Sequence, residues 1–274
     1  MISDTKEMSL EGDCRPIGIF DSGVGGLSIA KAVAEQLPNE NLIYVADTLY
    51  SPYGEKSIEF IQSRVNEISN ILLSKSVKAL VIACNTATVN AIDQLRERIS
   101  IPIIGVEPAI KPAAQQSITK NIGILVTQAT AENNRFKNLI EQHRNDVQVH
   151  IQACPGLVEL IEANKIQSHE CYTLLTKFLE TLLTKNVDTL VLGCTHYPFL
   201  AEKIRQVVGN SMQLVETAIP VTLQLKRKLT EQNTLNTSIS SKQCIFFSSK
   251  VNTQQQQLFN DFWQSPLILQ TLED

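Results

Sequence analysis

Two cysteines end two nearly identical stretches of this chain. Residues 72–86 read LLSKSVKALVIACNT and residues 182–196 read LLTKNVDTLVLGCTH, which places Cys84 and Cys194 at equivalent positions, 110 residues apart. A thiol can exchange a proton or attack a carbon atom once it is ionised. A duplicated unit with one thiol in each copy therefore predicts a single site in which two similar reactive groups face each other.

The surroundings of both cysteines favour reactivity. Each cysteine follows a continuous apolar run that predicts a buried strand, and polar residues come next, Asn85-Thr86 in the first copy and Thr195-His196 in the second. A thiol placed where a strand ends and a helix opens lies near helix N–H groups, so we expect its pKa to fall from about 8.5 toward neutrality. A lone buried cysteine is usually inert, but two at matching places in a repeat predict function.

Other polar residues stand at the ends of predicted strands. Asp21 and Ser22 follow the first strand, and Tyr53 and Gly54 follow the second after a short loop. Ligands of open parallel sheets bind where the carboxyl ends of the strands meet, so we expect these residues near the cysteines. Asp21 is also a natural N-cap for the helix that comes after it.

Three further features each have two interpretations. The glycine-rich segment 23–26 lacks the spacing of a dinucleotide or P-loop motif, so it predicts a tight turn whose backbone approaches a small anion. His196 is either a proton-relay partner of Cys194 or a core histidine. Glu159 and Glu162 are either part of the site or solvated residues of a helix.

The elements that must position these residues are those of a parallel α/β fold. Buried strands alternate with helices, including helices at 87–98, 131–142 and 198–208, and the run at 17–20 recurs at 122–125. Each half is too short for a complete doubly wound domain, so we expect the tail to complete the first half. The prediction is a flexible leader and two pseudosymmetric parallel-sheet α/β domains with the active site in the cleft between them: leader 1–15, domain one 16–108 plus 218–274, and domain two 109–217.

Bulk composition excludes several classes of protein. The 274 residues are 43% apolar and 19% charged with a net charge of -4, which argues against nucleic acid as the main partner. No run of about 18 apolar residues predicts a membrane helix, and the polar N-terminus lacks a secretory signal. We therefore expect a cytoplasmic protein with no membrane partner, whose six cysteines are reduced thiols. No cysteine–histidine cluster has zinc spacing, so no metal is expected.

Five stretches of the chain match one known family in order. They read IGIFDSGVGGLSI (17–29), YVADTLYSPYGEKS (44–57), LVIACNTAT (80–88), IPIIGVEPAIKPA (101–113) and LVLGCTHYPFL (190–200). The segment FFSS at 246–249 fits the tail of the same family. In these stretches the chain resembles the glutamate racemases, which work without a cofactor in the synthesis of bacterial cell-wall precursors.

The resemblance implies two domains related by a pseudo-twofold axis, with glutamate between them and no cofactor. Cys84 and Cys194 would be the two catalytic acid/bases, Cys194 deprotonating L-glutamate and Cys84 deprotonating D-glutamate. Asp21 and His196 match residues that assist the cysteines and contact the substrate. The family's additional catalytic glutamate falls best on Glu162, with Glu159 as the alternative. The remaining matches to substrate contacts are Ser22, Tyr53, Gly54, Asn85, Thr86 and Thr195.

The chemistry of such a reaction fits a pair of thiols. Inverting a carbon centre requires a base on one face and an acid on the other, and a thiolate opposite a thiol supplies both. One assisting residue falls in each copy of the repeat, so we predict that Asp21 serves Cys84 and that His196 serves Cys194. Closure of the cleft would exclude water, and we expect hinges near residues 108 and 217.

Other functions stay open at this point. An aspartate racemase, or an isomerase or decarboxylase of the same Asp/Glu racemase superfamily, is the nearest alternative, although such a decarboxylase typically needs only one of the two cysteines. A regulatory binding protein that has lost catalysis is a more distant one. If the substrate is glutamate, the product D-glutamate supplies peptidoglycan. The sequence leaves open whether the chain forms a homodimer and whether a cell-wall precursor activates it.

Overall fold

Strands and helices alternate along the chain in the computed structural model, which describes residues 12–209, 212–238 and 242–273. The strands are β1 (Ile17–Asp21), β2 (Leu42–Ala46), β3 (Ala79–Ile82), β4 (Ile103–Gly105), β5 (Asn121–Val126), β6 (Gln148–Ala153), β7 (Thr189–Leu192), β8 (Gln213–Val215), β9 (Cys244–Ser248) and β10 (Leu269–Thr271). The helices are α1 (Leu27–Gln36), α2 (Ile58–Ser74), α3 (Asn85–Arg98), α4 (Ile110–Gln116), α5 (Gln128–Glu132), α6 (Asn134–His143), α7 (Leu157–Glu162), α8 (His169–Leu183), α9 (Ala201–Val208), α10 (Ala218–Glu231) and α11 (Thr253–Trp263).

The strands form two parallel sheets with the same central order. The six-stranded sheet runs β10-β9-β2-β1-β3-β4, and the four-stranded sheet runs β6-β5-β7-β8. We call the first sheet and its helices lobe 1, and the second sheet and its helices lobe 2. The order β2-β1-β3-β4 in lobe 1 corresponds to β6-β5-β7-β8 in lobe 2, and every strand pair is parallel. The predicted α/β fold with two parallel sheets is therefore confirmed.

The sequence repeat also recurs as a packing arrangement. Gly18 in β1 pairs with Leu80 in β3, and Gly123 in β5 pairs with Leu190 in β7. A Cβ added to either glycine would lie within 3.3 Å of three side chains. These side chains occupy matching positions of the repeat: Leu72, Val77 and Leu80 in lobe 1, and Leu182, Val187 and Leu190 in lobe 2. In each lobe, a strand glycine therefore packs closely against the helix and the strand that carry the repeated sequence.

One hydrophobic core extends through both lobes. The largest buried cluster contains residues of β1 and α1 together with residues of α7, α8 and the segment after β7. The tail contributes β9 and β10 to the sheet of lobe 1. The domain boundaries near 108 and 217 stay predictions, and most of the predicted leader, residues 1–11, lies outside the described residues. No helix in the described residues has the length and apolar content needed to cross a membrane.

Several predicted elements differ from those observed. The helix predicted at 131–142 is two helices, because Thr127 caps α5 and Asn133 caps α6 through hydrogen bonds from Thr130 N–H (3.4 Å) and Phe136 N–H (3.2 Å). The short elements α4 and β10 were not predicted from the sequence, and at seven and three residues they carry little periodic signal.

Candidate active site

The carboxyl ends of the central strands bring the two lobes together. Asp21 ends β1 of lobe 1, and Thr195 follows β7 of lobe 2. The Thr195 hydroxyl donates a hydrogen bond to Asp21 Oδ2 over 3.0 Å. Cys84 and Cys194 follow β3 and β7 and are only 5% and 6% exposed. Both thiols are therefore buried near the contact between the lobes, close enough that the charge of Cys194 raises the pKa of Cys84.

Cys84 is the N-cap of α3, which begins at Asn85, two residues earlier than the helix predicted at 87–98. Its Sγ accepts a hydrogen bond from Ala87 N–H at 3.4 Å and donates one to Ser22 Oγ at 3.7 Å. Burial, followed by the charge of Asp21, raises the pKa of the Cys84 thiol to about 12. The prediction of a lowered pKa is wrong for this cysteine, because desolvation and a neighbouring carboxylate outweigh the N–H groups of the helix.

Cys194 has different surroundings from Cys84. A 3-10 turn at Tyr197–Leu200 follows it, and α9 begins only at Ala201, so the predicted helix at 198–208 starts late. Pro198, whose ring fixes the backbone and which has no N–H group, lies in this turn. The predicted helix N-terminus therefore does not lie beside Cys194. The polar neighbour of this thiol is His196, whose Nδ1 lies 3.7 Å from Cys194 Sγ.

His196 connects Cys194 to Glu162. Its Nε2 lies 2.6 Å from Glu162 Oε1, and the imidazole is 2% exposed. Burial alone would lower the pKa of His196, but the hydrogen bonds and charges of Cys194 and Glu162 raise this pKa well above its usual value. The ring has the two contacts expected of a proton-relay partner and thus does not resemble a histidine that merely fills a core.

Asp21 is not the N-cap that the sequence allows. The first residue before α1 is Gly26, whereas Asp21 Oδ1 accepts a hydrogen bond from Gly23 N–H at 2.9 Å. Asp21 is fully buried, and burial raises the pKa of its carboxyl group, with the charge of His196 acting in the opposite direction. A carboxyl group with a raised pKa can hold a proton more readily than an exposed one.

The glycine-rich turn at 23–26 lies against lobe 2. Val24 N–H donates a hydrogen bond to Glu162 Oε1 over 2.8 Å. A Cβ at Gly23 would lie 1.8 Å from Glu162 Oε1, and a Cβ at Gly25 would lie 2.4 Å from His196 Nδ1. The glycines thus allow the backbone of the turn to approach the side chains of Glu162 and His196 closely, while binding of a small anion at this turn stays a prediction.

Glu162, and not Glu159, makes the contacts with the site. Glu162 Oε1 receives Val24 N–H and lies beside His196, while its Oε2 is buried without a hydrogen-bond partner among the described residues. Glu159 lies one turn earlier on α7 and is half-buried, and burial raises the pKa of its carboxyl group. The geometry favours Glu162 as the assisting glutamate.

The predicted substrate contacts Asn85 and Tyr53 differ in how far their side chains are already used. Asn85 Nδ2 donates to Val106 O at 3.3 Å, and Asn85 Oδ1 is buried without a partner in the described part of the chain. The Tyr53 hydroxyl instead donates to Asp47 Oδ2 at 2.6 Å, and Asp47 also binds Arg64 through both carboxylate oxygens at 2.9 Å. Asn85 thus has a side-chain acceptor without a partner in the described residues, whereas the one proton of the Tyr53 hydroxyl is already used.

Two residues of this region, Thr127 and Thr130, were not predicted from the sequence, although both contact residues that were. Gly54 packs so closely on Thr127 that an added Cβ would lie 2.8 Å from Thr127 Cβ. The Thr86 hydroxyl lies 2.9 Å from that of Thr127 and 3.3 Å from that of Thr130. Thr127 directly follows β5, so the rule that located Asp21 after β1 would have located Thr127 as well.

Comparison with known proteins identifies the family. Residues 23–221 match the sequence profile described as Asp/Glu/Hydantoin racemase. A glutamate racemase of Herpetosiphon aurantiacus is 48% identical over 226 residues, which cover 82% of this chain and 89% of that protein. The chain belongs to the glutamate racemase family. The resemblance noted in the sequence is thereby confirmed.

Solved structures of glutamate racemases have the same fold over nearly the whole chain. The Francisella tularensis enzyme in complex with D-glutamate superposes with a TM-score of 0.84 at 30% identity, covering 95% of this chain and 98% of that one. The Escherichia coli enzyme in complex with L-glutamate and the activator UDP-MurNAc-Ala gives 0.83 at 32% identity, covering 94% and 98%. The arrangement of two parallel-sheet lobes is therefore the fold of this family.

Proposed function

We propose that this chain interconverts L- and D-glutamate without a cofactor, and that Cys84 and Cys194 each exchange a proton with one face of the α-carbon. The observation that carries the proposal is the placement of two buried thiols after matching strands of two equivalent sheets, at one cleft. A thiolate on one side and a thiol on the other provide the base and the acid that inversion requires.

The surroundings of the thiols assign their resting roles. The pKa of about 12 keeps Cys84 as a thiol near neutral pH. An imidazolium within hydrogen-bond range stabilises a thiolate, and His196 has a raised pKa and lies 3.7 Å from Cys194 Sγ. In this state Cys194 removes the α-proton of L-glutamate and Cys84 gives its proton to the opposite face. D-glutamate leaves a Cys84 thiolate and a Cys194 thiol, which is the state that performs the reverse reaction.

Acid–base catalysis accounts for only part of the rate. It contributes roughly 10²–10⁴-fold, and the α-proton of an amino acid is very weakly acidic. The remainder requires donors that stabilise the developing carbanion and its carboxylate in a site from which water is excluded. The N–H groups at the start of α3 and the side chains of Asn85, Thr86, Thr195 and Ser22 supply such groups in this cleft.

Glutamate is the proposed substrate because the related structures contain it. The Francisella and Escherichia enzymes were solved with D-glutamate and L-glutamate, respectively. Circular dichroism of L-glutamate and of L-aspartate, each incubated with pure protein and no added cofactor, tests the assignment. We expect the ellipticity of glutamate to decay to zero while that of aspartate stays constant. Decay with aspartate alone would make the protein an aspartate racemase, and no decay with either would favour a regulatory binding protein.

The wider role follows from the same assignment. We propose that the enzyme acts in the cytoplasm and supplies D-glutamate for peptidoglycan. UDP-MurNAc-Ala is an activator of the Escherichia relative, so its effect on the rate of this enzyme is the direct test of activation by a cell-wall precursor. Sedimentation of the pure protein tests whether it forms a homodimer.

A further inference from the structure

Three threonine hydroxyls meet where the two lobes touch, and two of them, those of Thr127 and Thr130, have no part in the mechanism above. Oγ1 of Thr86 lies 2.9 Å from Oγ1 of Thr127 and 3.3 Å from Oγ1 of Thr130, and Thr127 and Thr130 are joined by a hydrogen bond of 3.0 Å. We call these three residues the threonine cluster. Thr86 belongs to α3 of lobe 1, and the other two lie at the start of α5 in lobe 2.

Burial makes the members of the cluster depend on one another. Thr86 and Thr127 are 2% and 8% exposed, and Thr130 is fully buried. A hydroxyl has one proton to donate and two lone pairs that accept. In the structure each of the three hydroxyls can donate a hydrogen bond to one member of the cluster and accept one from the other. The hydroxyl of Thr130 has both other members within reach and no exposure to solvent.

A bound carboxylate changes this balance. Thr86 lies at the N-terminus of the fourteen-residue helix α3, where N–H groups favour an anion. When Thr86 and Thr127 turn their protons toward a carboxylate, the hydrogen bond between them is lost. The proton of Thr130 can then replace it, since its oxygen is within 3.3 Å of both. Without that third hydroxyl, a buried oxygen would lack a donor, which is costly.

We propose that Thr130 is a positioning residue for glutamate: its hydroxyl holds those of Thr86 and Thr127 in the orientation in which both donate to a substrate carboxylate. The proposal rests on the function proposed above. It makes Thr130 act through its two neighbours and not through contact with the reacting atoms. Its effect therefore falls on substrate binding more than on the chemical step.

The test compares Thr130→Val with Thr130→Ser. Valine keeps the shape of threonine and replaces the hydroxyl by a methyl group, while serine keeps the hydroxyl. We expect KM for both enantiomers to rise about fivefold in Thr130→Val, the effect of losing one net hydrogen bond, with kcat changed by less than about twofold. Thr130→Ser should return KM to within about twofold of the wild-type value.

Thr222→Val is the matched control. Thr222 is also fully buried, and within the described part of the chain its hydroxyl bonds only Ala218 O of its own helix, at 2.9 Å. A loss of stability alone lowers the amount of active enzyme and hence apparent kcat, and it leaves KM unchanged. We therefore expect an unchanged KM in the control.

Each outcome decides between the alternatives. An unchanged KM in Thr130→Val, or a KM raised equally in the serine variant, overturns the positioning role while the racemase assignment stands. A wild-type protein that racemises no glutamate overturns both. If Thr130→Val does not fold, Thr130→Ala and Thr130→Ser form the second comparison, and equal KM values in that pair also overturn the proposal.

Discussion

The two thiols occupy equivalent places in the fold but have different partners. Cys84 is the N-cap of α3 and lies near the carboxyl group of Asp21, and the pKa of its thiol is about 12. Cys194 precedes a 3-10 turn and lies beside His196, which is backed by Glu162. A duplicated unit has thus kept the position of its reactive atom and changed the groups that set its protonation. A reaction that is symmetric between two enantiomers can therefore be performed by groups whose surroundings are not symmetric.

The assisting residues also cross between the lobes. Asp21 of lobe 1 accepts a hydrogen bond from Thr195 of lobe 2, and Glu162 of lobe 2 accepts one from Val24 of lobe 1. These bonds join the two lobes beside the site. The two assisting groups differ in what sets their pKa: burial raises that of Asp21, whereas contacts within lobe 2, with Cys194 and Glu162, raise that of His196.

Removing either thiol should have the largest effect. We expect Cys84→Ala and Cys194→Ala each to lower kcat by at least about 10³-fold, since one face of the α-carbon then has no proton carrier. Cys171→Ala is the matched control, because Cys171 is fully buried on α8 outside the cleft. Racemisation of L-glutamate followed by circular dichroism measures all three. A near wild-type rate in either alanine variant at 84 or 194 would show that one base is enough.

Changing the assisting residues should separate the two directions. We expect Asp21→Asn to slow the direction in which Cys84 is the base, and His196→Asn to slow the direction in which Cys194 is, by about 10²-fold in kcat. The equilibrium constant between enantiomers is one, so KM must change in compensation. Initial rates from pure L- and pure D-glutamate measure this. Equal losses in both directions for both variants would mean that these residues only maintain the structure of the site.

The two candidate glutamates should differ in a smaller effect. Glu162 helps to raise the pKa of His196, so Glu162→Gln should lower that pKa while keeping an acceptor for Val24 N–H. We expect kcat for L-glutamate to fall about tenfold, and the limb of the pH–rate profile that reports His196 to move to lower pH. Glu159→Gln is the control and should leave both quantities unchanged. A larger effect at Glu159 would reverse the assignment.

Chemical labelling should reveal the asymmetry directly. Only the thiolate reacts with iodoacetamide, so at pH 7–8 we expect Cys84, with a pKa of about 12, to be labelled several-fold more slowly than Cys194. The two side chains are almost equally buried, so access contributes little to the difference. Mass spectrometry of peptides from timed reactions measures both rates. Equal rates would contradict the resting roles proposed for the two thiols.

Much of this architecture could be predicted from the sequence because it is encoded locally. The repeat predicts two equivalent sheets, and the observed strand orders agree over four consecutive strands. Polar residues directly after buried runs located Asp21, Cys84 and Thr195, because the carboxyl ends of parallel strands meet at one edge. Thr127 obeys the same rule and was overlooked.

The protonation of the site could not be predicted in this way. The pKa of Cys84 depends first on burial and then on Asp21, which is 63 positions away in the sequence. The contact of Val24 with Glu162 spans 138 positions and joins different lobes. Local sequence indicates which groups reach the edge of a sheet, but the sign of a pKa shift depends on how the lobes close.

Deuterium incorporation shows whether one thiol serves each face of the α-carbon. Wild-type protein is incubated with L-glutamate in D₂O without added cofactor, and early samples are separated by enantiomer and analysed for α-deuterium by NMR. We expect nearly every newly formed D-glutamate to carry deuterium while the remaining L-glutamate stays protiated, because the proton is delivered by a different, solvent-exchanged group. D-glutamate that retains the original α-proton would contradict the account, since a single base would then carry the proton from one face to the other.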